Sequence, residues 1–570
     1  MLTRIFLAKP AMKNKLDKCQ KRLCLSLNNH PNAYALLSLS AIAGLGLYVR
    51  FSMLSSVGLL DGDDFFYVKW AYLWLSGDFK LFGLYRIANA ILGAIALRLF
   101  GVNDYSIHYF VALFGTINIV IGYCLSVLVT RSRVVSLALV LIHCLSLRVV
   151  EVDRTLIPYT FTETFFLISC VFFILHLRVN VSVNLRNRYF ALVYISLSGL
   201  FLSFSAHAHW EIACHAVPMA ILILMHGYFS KVGSTRFSSL SSMIFCVSFW
   251  VPILIGVYIF SGNVVFHGIF NVNSTLHAMA TISSFSISRY INEYLSLYKA
   301  VVSANTGSYI LGIMFFLNSM HLLYLICKTS LFKFSSHISR IQMLCCVYFM
   351  VLIWFYILSM RVLNFDSFIR NWHAQHLTVI VLVFTFTLLS SLLNAVFPNP
   401  KSTARYVFLL LLIAVFVQSQ PLEAFTARFH HPTSYRIMGD VLSSRVSAKD
   451  RVLVAPYLVL DFRYQTLTPP SYLSKEYVDH IFEYTSDLPL RIQIQKHGIR
   501  YFVDAKQLIH NNADDQVGVK SNLGRVYDID PNEYSLEIEY ARMKEYLREV
   551  NAVMIFSSDK IDIYDLKSGT

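Results

Sequence analysis

The sequence predicts an all-α polytopic membrane domain followed by a small C-terminal α/β domain, and three features carry that prediction. Of 570 residues, 56% are hydrophobic and 14% are charged, against roughly 25% charged in a soluble globular chain. The apolar residues gather into long runs between residues 33 and 420, with a mean hydropathy of +0.56 for the whole chain. The connectors between those runs alternate in charge.

The chain opens with a basic stretch, 1–32, containing Arg4, Lys9, Lys13, Lys15, Lys18, Lys21 and Arg22. It is too long and too basic before the first apolar run to read as a cleaved signal, which also needs a small-residue cleavage site. A cytoplasmic tail before a signal anchor is expected. A spanning helix takes about 20 mainly apolar residues. Runs at roughly 33–52, 107–129, 134–150, 161–177, 189–205, 212–229, 240–260, 308–327, 342–360, 377–397 and 406–420 predict about eleven of them.

With the N-terminus inside, the cytoplasmic connectors hold Arg131/Arg133, Arg178/Arg186/Arg188, Lys231/Arg236, Lys328/Lys333/Arg340 and Lys401/Arg405, and no acidic residue. The opposite connectors hold Asp61, Asp63, Asp64, Asp78, Asp104, Glu151, Asp153, Glu211, Glu293 and Asp366. This is the positive-inside pattern, and it puts the large loops and the C-terminus outside. It also accounts for the net charge of +15 without nucleic acid, which would want a continuous basic stripe. Ten cysteines lie at or before residue 346 and form no CxxC pair, which argues against a redox or zinc framework. With no cysteine in the C-terminal region, a bacterial inner membrane is the expected location.

The first outer loop, 53–106, carries two amphipathic stretches, 64–76 and 85–100, read as helices lying in the interface plane; the second could instead be a re-entrant half-span. From about 421 the composition becomes that of a soluble domain. RVLVAP (451–456), IRYFVD (499–504), VMIFS (553–557) and IDIY (561–564) read as strands, and 434–446, 485–497 and 532–550 carry helical periodicity.

The most informative segment is Asp61-Gly-Asp63-Asp64-Phe-Phe-Tyr67-Val-Lys69-Trp-Ala71, directly after the first span. Carboxylates crowded at a membrane interface repel one another and lose hydration. They can take a proton from an acceptor, hold a divalent cation, or both; a solvated turn with Asp63 or Asp64 capping the next helix is the plain alternative. No other cofactor is indicated. His207-x-His209-x-Glu211 would put its three side chains on one side if extended, as a metal site could use, or the groups could cap helix ends. Glu163 stands just inside the fourth span, a functional candidate by depth or a partner of Thr160 or Thr164. Arg154 adjoins Asp153 and could simply pair with it. The outer segment 262–300, with His267, His277, Arg289 and Glu293, identifies no ligand.

The pattern Asp63-Asp64-x-x-Tyr67-x-x-x-Ala71-x-x-x-x-x-Gly77-Asp78, with Leu99-Phe100-Gly101 before the second span, resembles the first-loop motif of the GT-C glycosyltransferases related to protein O-mannosyltransferases and lipid A aminoarabinose transferases. The likeness is traceable through Asp153-Arg154, Pro158 and Glu163, and through the strand pattern of the C-terminal domain. It implies a GT-C fold and inverting transfer of a sugar from a polyprenyl-phosphate donor to a glycan, lipid or protein acceptor, with Asp63 as the catalytic carboxylate and Asp64 as its neighbour. The leaving lipid phosphate needs cations or hydrogen-bond donors; Arg86, Lys69, Arg154, His207, His209 and Arg370 are the outer-face candidates. Arg370 stands where related chains place an arginine before an outer-to-inner span. Two departures stand out. Phe66 occupies a position that is basic in the aminoarabinose branch, and Leu84-Tyr85-Arg86 replaces a Lys-Pro-Pro-like segment. The competing classes are a secondary transporter or lipid flippase, which would show internal repeats and broken helices at the midplane, and a membrane scaffold without catalysis.

Overall fold

The computed structural model describes residues 31–52, 54, 62–77, 86–102, 105–154, 158–179, 185–230, 235–261, 313, 316–317, 319–320, 345–353, 376–396, 403–418, 441, 451–455, 466–467, 499–505, 544–558 and 561–566. Within these the membrane part is helical: α1 Pro31–Phe51, α2 Gly62–Leu75, α3 Ile87–Phe100, α4 Ser106–Thr130, α5 Arg133–Leu145, α6 Leu147–Val152, α7 Tyr159–Arg178, α8 Leu185–Ala208, a 3₁₀ turn Trp210–His215, α9 Ala216–Ser230, α10 Thr235–Ser261, α11 Thr378–Val396 and α12 Thr403–Gln418. Residues 345–353 are also helical. Among the described residues, five helices are long and apolar enough to cross a bilayer: Asn32–Phe51, Ser106–Thr130, Tyr159–Arg178, Leu185–Ala208 and Arg236–Gly256. Shorter apolar helices stand at Ile87–Phe100, Arg133–Leu145, Ile212–His226, Thr378–Ser390 and Tyr406–Gln418. The chain is a multi-pass membrane protein.

Local chemistry sets these boundaries. Pro31 and Pro158 open α1 and α7, where a missing N–H does no harm. Between α4 and α5 the reversal is tight: Arg131 takes a left-handed conformation (φ 57°) with its N–H on Val127 O, and Ser132 accepts the Val135 N–H. Two apolar runs depart from single helices. The run at 134–150 breaks at Ser146, whose extended backbone (ψ 107°) separates α5 from α6. The run at 212–229 begins as the 3₁₀ turn before it becomes α9.

α8 is the most connected helix, packed on α7, α10 and α3; α7 also meets α4, while α1 lies against α4 and α5. α11 closes onto α4 and α5. The core contains Val111, Ile119, Phe166, Phe173, Leu202, Phe249 and Val379, each essentially inaccessible. Outward-facing Leu36, Leu37, Tyr48, Met243, Leu254 and Leu410 are exposed and apolar. In water that would be a liability, but a lipid-facing surface has this composition.

The segment between the first two spans, 53–106, forms the two expected helices as a packed pair, with one correction. α3 is two-sided as expected: Ile91, Ile95 and Leu99 form an exposed apolar stripe, while Ile87, Ala90, Gly93 and Leu97 are buried. α2 is not a surface helix. Tyr67, Val68, Trp70, Ala71, Leu73 and Trp74 are buried around most of its circumference, because α3 covers it. The two axes cross where Ala71 meets Gly93; a Cβ on Gly93 would stand 2.7 Å from the Ala71 Cβ, so both positions must stay small.

The C-terminal part holds a five-stranded mixed sheet in the order β2-β1-β3-β5-β4, with β1 Arg451–Ala455, β2 Thr466–Leu467, β3 Ile499–Ala505, β4 Val553–Ser557 and β5 Ile561–Asp565. β1 and β3 are parallel, and the other pairs are antiparallel. All four expected strands are present, and short β2 adds an edge. Of the three expected helices, residues 441 and 544–549 are described and helical; the remainder lies outside the described residues, as do 1–30 and 262–312.

Candidate functional site

Motif residues that fall on described positions are first of all structural. Ala71 admits Gly93, as above. Gly77 ends α2 with φ +85°, a left-handed stop that a side chain resists. Gly101 ends α3 in the same way with φ +87°, and Phe100 packs on Tyr109 and Phe110. The spacing from Asp63 to Gly101 is therefore the spacing of a helical pair between the first two spans. Asp63 and Asp64 lie in the first turn of α2; their side chains, and that of Lys69, lie outside the described residues. On the helix backbone, position 63 stands one turn before Tyr67 on the same face.

At Tyr67 three distant parts of the sequence meet. The Arg86 guanidinium, at the start of α3, stands over the Tyr67 ring with Cζ 5.7 Å from the centroid, inside cation–π range. Its Nη2 donates to His209 Nε2 at 3.3 Å. A guanidinium has no acceptor, so the imidazole in this contact is neutral, with its proton on Nδ1. The His209 ring is buried and packs against Tyr159 at 4.9 Å between centroids. Asn89, one turn into α3, ties the two elements together by donating to Ala208 O at 2.9 Å. The arrangement offers a cation and an imidazole braced by two aromatic rings, one of which, Tyr67, stands one helical turn along α2 from position 63. Tyr159 was not singled out by sequence; its only signal is its place directly after Pro158 at the start of a span.

Three expectations change. Arg154 does not face this cluster. Its Nη2 donates to Ser52 O at 2.8 Å and its Nη1 to Val49 O at 3.1 Å, so it caps the carbonyl end of α1. Burial pulls its pKa down to about 10, which leaves it charged at neutral pH. Nor is Asp153 its partner: Asp153 Oδ2 accepts from Arg50 Nε at 2.8 Å, with Nη2 also 2.8 Å away as an ion pair, and Oδ1 accepts from the Thr160 hydroxyl at 3.0 Å. Burial pushes the Asp153 carboxyl up, and Arg50 and Thr160 hold against that push. Gly115 makes room, since a Cβ there would fall on the Asp153 carboxyl group. Together Arg50, Asp153 and Arg154 clasp the end of α1, from which the acidic segment departs.

His207 and His209 do not form one extended site with Glu211. His207 is the penultimate residue of α8, and its Nε2 donates to Pro252 O at 3.2 Å. His209 is extended (φ −151°, ψ 111°) and faces Arg86, and Glu211 lies within the 3₁₀ turn. α-Helical geometry at position 207 turns the two imidazoles apart. Glu163 is fully buried and receives Asn118 Nδ2 at 3.3 Å on one oxygen, with His143 Nε2 4.0 Å from the other. The hydroxyls of Thr160 and Thr164, its suggested partners, donate instead to Asp153 Oδ1 and Asn118 Oδ1. Arg370 lies outside the described residues. Among the described residues no group of three or more His, Cys, Asp or Glu converges as a metal site; the Asp63 and Asp64 carboxylates are not among the side chains this covers.

No protein-family profile matches the chain, and no curated protein matches it. Solved structures do. ArnT from Cupriavidus metallidurans in the apo state aligns with a TM-score of 0.51 at 10% identity, over 94% of this chain and 98% of that one. ArnT from the same organism bound to undecaprenyl phosphate aligns with a TM-score of 0.47 at 9% identity, over 92% and 97%. The archaeal oligosaccharyltransferase AglB from Archaeoglobus fulgidus, in complex with an inhibitory peptide and dolichol-phosphate, gives 0.48 at 12% identity, over 84% and 70%. The apo ArnT structure and this chain share a fold over 94% of this chain, which is the fold expected from the first-loop motif.

Proposed function

We propose that this protein is an inverting glycosyltransferase that moves a sugar from a polyprenyl-phosphate donor to a glycan, lipid or protein hydroxyl on the outer face of the membrane. The observation that carries the reading is the meeting of Tyr67, Arg86 and His209 beside the start of α2. A motif Tyr and two phosphate-binding candidates come together, and the Tyr stands one helical turn along α2 from the Asp63 position. In this reading Asp63 takes the acceptor's hydroxyl proton. The hydroxyl oxygen bonds to the anomeric carbon as the carbon–phosphate-oxygen bond breaks, and the electron pair leaves on the lipid phosphate. One displacement inverts the centre. Arg86 meets the charge that develops on the leaving oxygen, and Tyr67 holds the guanidinium in place. Asp64 supports Asp63 or shares a divalent cation with it; Lys69 and Arg370 remain further phosphate ligands. The N-terminus is cytoplasmic, and the C-terminal domain, 421–570, lies outside with the first loop.

The test is transfer by the purified protein, given a panel of polyprenyl-phosphate-linked sugars and scored by release of free polyprenyl phosphate. Asp63→Asn keeps the side chain's size but cannot take the proton, and should lower the rate at least about 100-fold. Chelation of the wild type separates a supporting Asp64 from a metal-sharing one. Transfer by Asp63→Asn at the wild-type rate would overturn the reading. The buried Glu163–Asn118–His143 group favours a second reading, a proton-coupled transporter, because ionisable groups inside spans often form proton relays. Proton flux across proteoliposomes that is lost in Glu163→Gln would support it.

A further inference from the structure

The Arg86–His209 contact has chemistry that the proposed transfer does not by itself require. Arg86 Nη2 lies 3.3 Å from His209 Nε2. The donor must be arginine, so the pair at rest carries one positive charge. Two full cations at that distance would repel each other, and the neutral imidazole avoids this by offering its lone pair. Both members are braced: Tyr67 lies under the guanidinium at 5.7 Å, and Tyr159 packs on the imidazole at 4.9 Å.

The substrates differ in charge by one unit. A polyprenyl-phosphate-linked sugar is a phosphodiester with a single negative charge. The polyprenyl phosphate left after transfer is a monoester, which carries close to two near neutral pH. The resting pair matches the first and falls one charge short of the second. When Arg86 turns from His209 to a phosphate oxygen, Nε2 loses the proton donor that kept it neutral. It can then face an anion instead of a cation, which favours its charged form.

We propose that His209 takes up one proton as the lipid phosphate monoester forms or binds, converting the Arg86–His209 pair from a singly to a doubly charged clamp. This rests on the glycosyltransferase reading. The proton comes from solvent and sits on Nε2, and it is separate from the hydroxyl proton taken by Asp63. Among the described residues, the charged or titratable groups with a recorded contact here are Arg86 on α3 and Tyr159 on α7 at His209, and Tyr67 on α2 behind Arg86. His207 on α8 is engaged with Pro252 O on α10. Glu211 follows two residues later, and Asp63, Asp64 and Lys69 share α2 with Tyr67. The carboxylates would ease the uptake and Lys69 would oppose it, but neither reproduces the loss and gain of a partner at Nε2.

The experiment is titration calorimetry of the purified full-length protein with undecaprenyl phosphate at about pH 8, where the monoester has already shed its second proton. Buffers of different ionisation enthalpy count the protons taken up. The wild type should take up protons on binding, and its affinity should fall with rising pH, by up to about tenfold per unit, between the imidazole's pKa in the free and in the bound protein. His209→Gln keeps an acceptor for Arg86 and a donor for phosphate but cannot hold the proton. It should bind with no uptake and a flat pH profile. Binding by the wild type without proton uptake overturns the inference and leaves the transferase reading standing. The same uptake in His209→Gln also overturns it, because another group is then titrating. Inorganic phosphate should bind at least about tenfold more weakly than the lipid; equal affinity would make this a free-phosphate site. Absence of any undecaprenyl phosphate binding by folded wild-type protein would remove the transferase reading itself. The buffer dependence of the wild type stands as a test even if the variant misfolds.

Discussion

Breaking the Arg50–Asp153 pair from its two ends should produce unequal damage. Both side chains are fully buried, with Arg50 Nη2 and Nε each 2.8 Å from Asp153 Oδ2. Removing one partner of such a pair strands the other charge, at a cost of about 3–5 kcal/mol. Asp153→Asn strands a guanidinium, which does not give up its proton inside a protein. The full penalty stays at every pH, softened towards about 3 kcal/mol by the amide oxygen that can still accept a hydrogen bond. Arg50→Met strands a carboxyl, which can escape by protonation. Burial already raises the Asp153 pKa, and Arg50 is the main influence pulling it down, so the variant's carboxyl titrates higher still. Between the unfolded and folded pKa values the native state then holds one more proton than the unfolded state, and stability falls as pH rises. Arg50→Met should therefore be more stable at about pH 5 than at about pH 8, while Asp153→Asn should show no such gain from acid. Thermal unfolding of the detergent-purified variants, followed by tryptophan fluorescence at both pH values, reads this directly. An Arg50→Met variant as pH-insensitive as Asp153→Asn, or an Asp153→Asn variant as stable as wild type, would refute the buried ion pair and with it the clasp on α1.

Two further outcomes follow from the geometry. His207→Ala removes a hydrogen bond to Pro252 O and should lower stability by about 1 kcal/mol, leaving undecaprenyl phosphate affinity unchanged. A loss of affinity as large as that of Arg86→Ala would return His207 to the phosphate site. In a cysteine-free background, an impermeant maleimide should label Ser568→Cys but not Ser132→Cys in intact cells; the reverse result would invert the topology read from charge.

How much was legible in the sequence differs between the fold and the site. Hydropathy and loop charge depend on composition along the chain, so the long spans α1, α4, α7, α8 and α10 and the strands β1, β3, β4 and β5 could be read in advance. Ser146 shows the limit. It lies inside a continuous apolar run, yet the helix ends there, and the short helix that follows leads to Asp153 beneath Gly115 and on Arg50. The covering of α2 was equally hidden, since its apolar residues suit lipid and protein alike, and only the crossing at Gly93 decides between them.

Charge, hydropathy and the Asp63–Gly101 pattern determined the membrane class, the helical pair after the first span and a short register of polar candidates. Only the tertiary structure could sort those candidates, because a side chain's partner is set by where other elements come to lie. Arg154 met the carbonyl end of α1, 102 residues earlier. His207 turned to Pro252, and His209, two residues away, met Arg86 across a separation of 123. Adjacency in sequence grouped His207 with His209 and Asp153 with Arg154. Helix geometry and long-range packing separated both pairs, because neighbouring positions on a helix or turn project in different directions and find their partners on different elements.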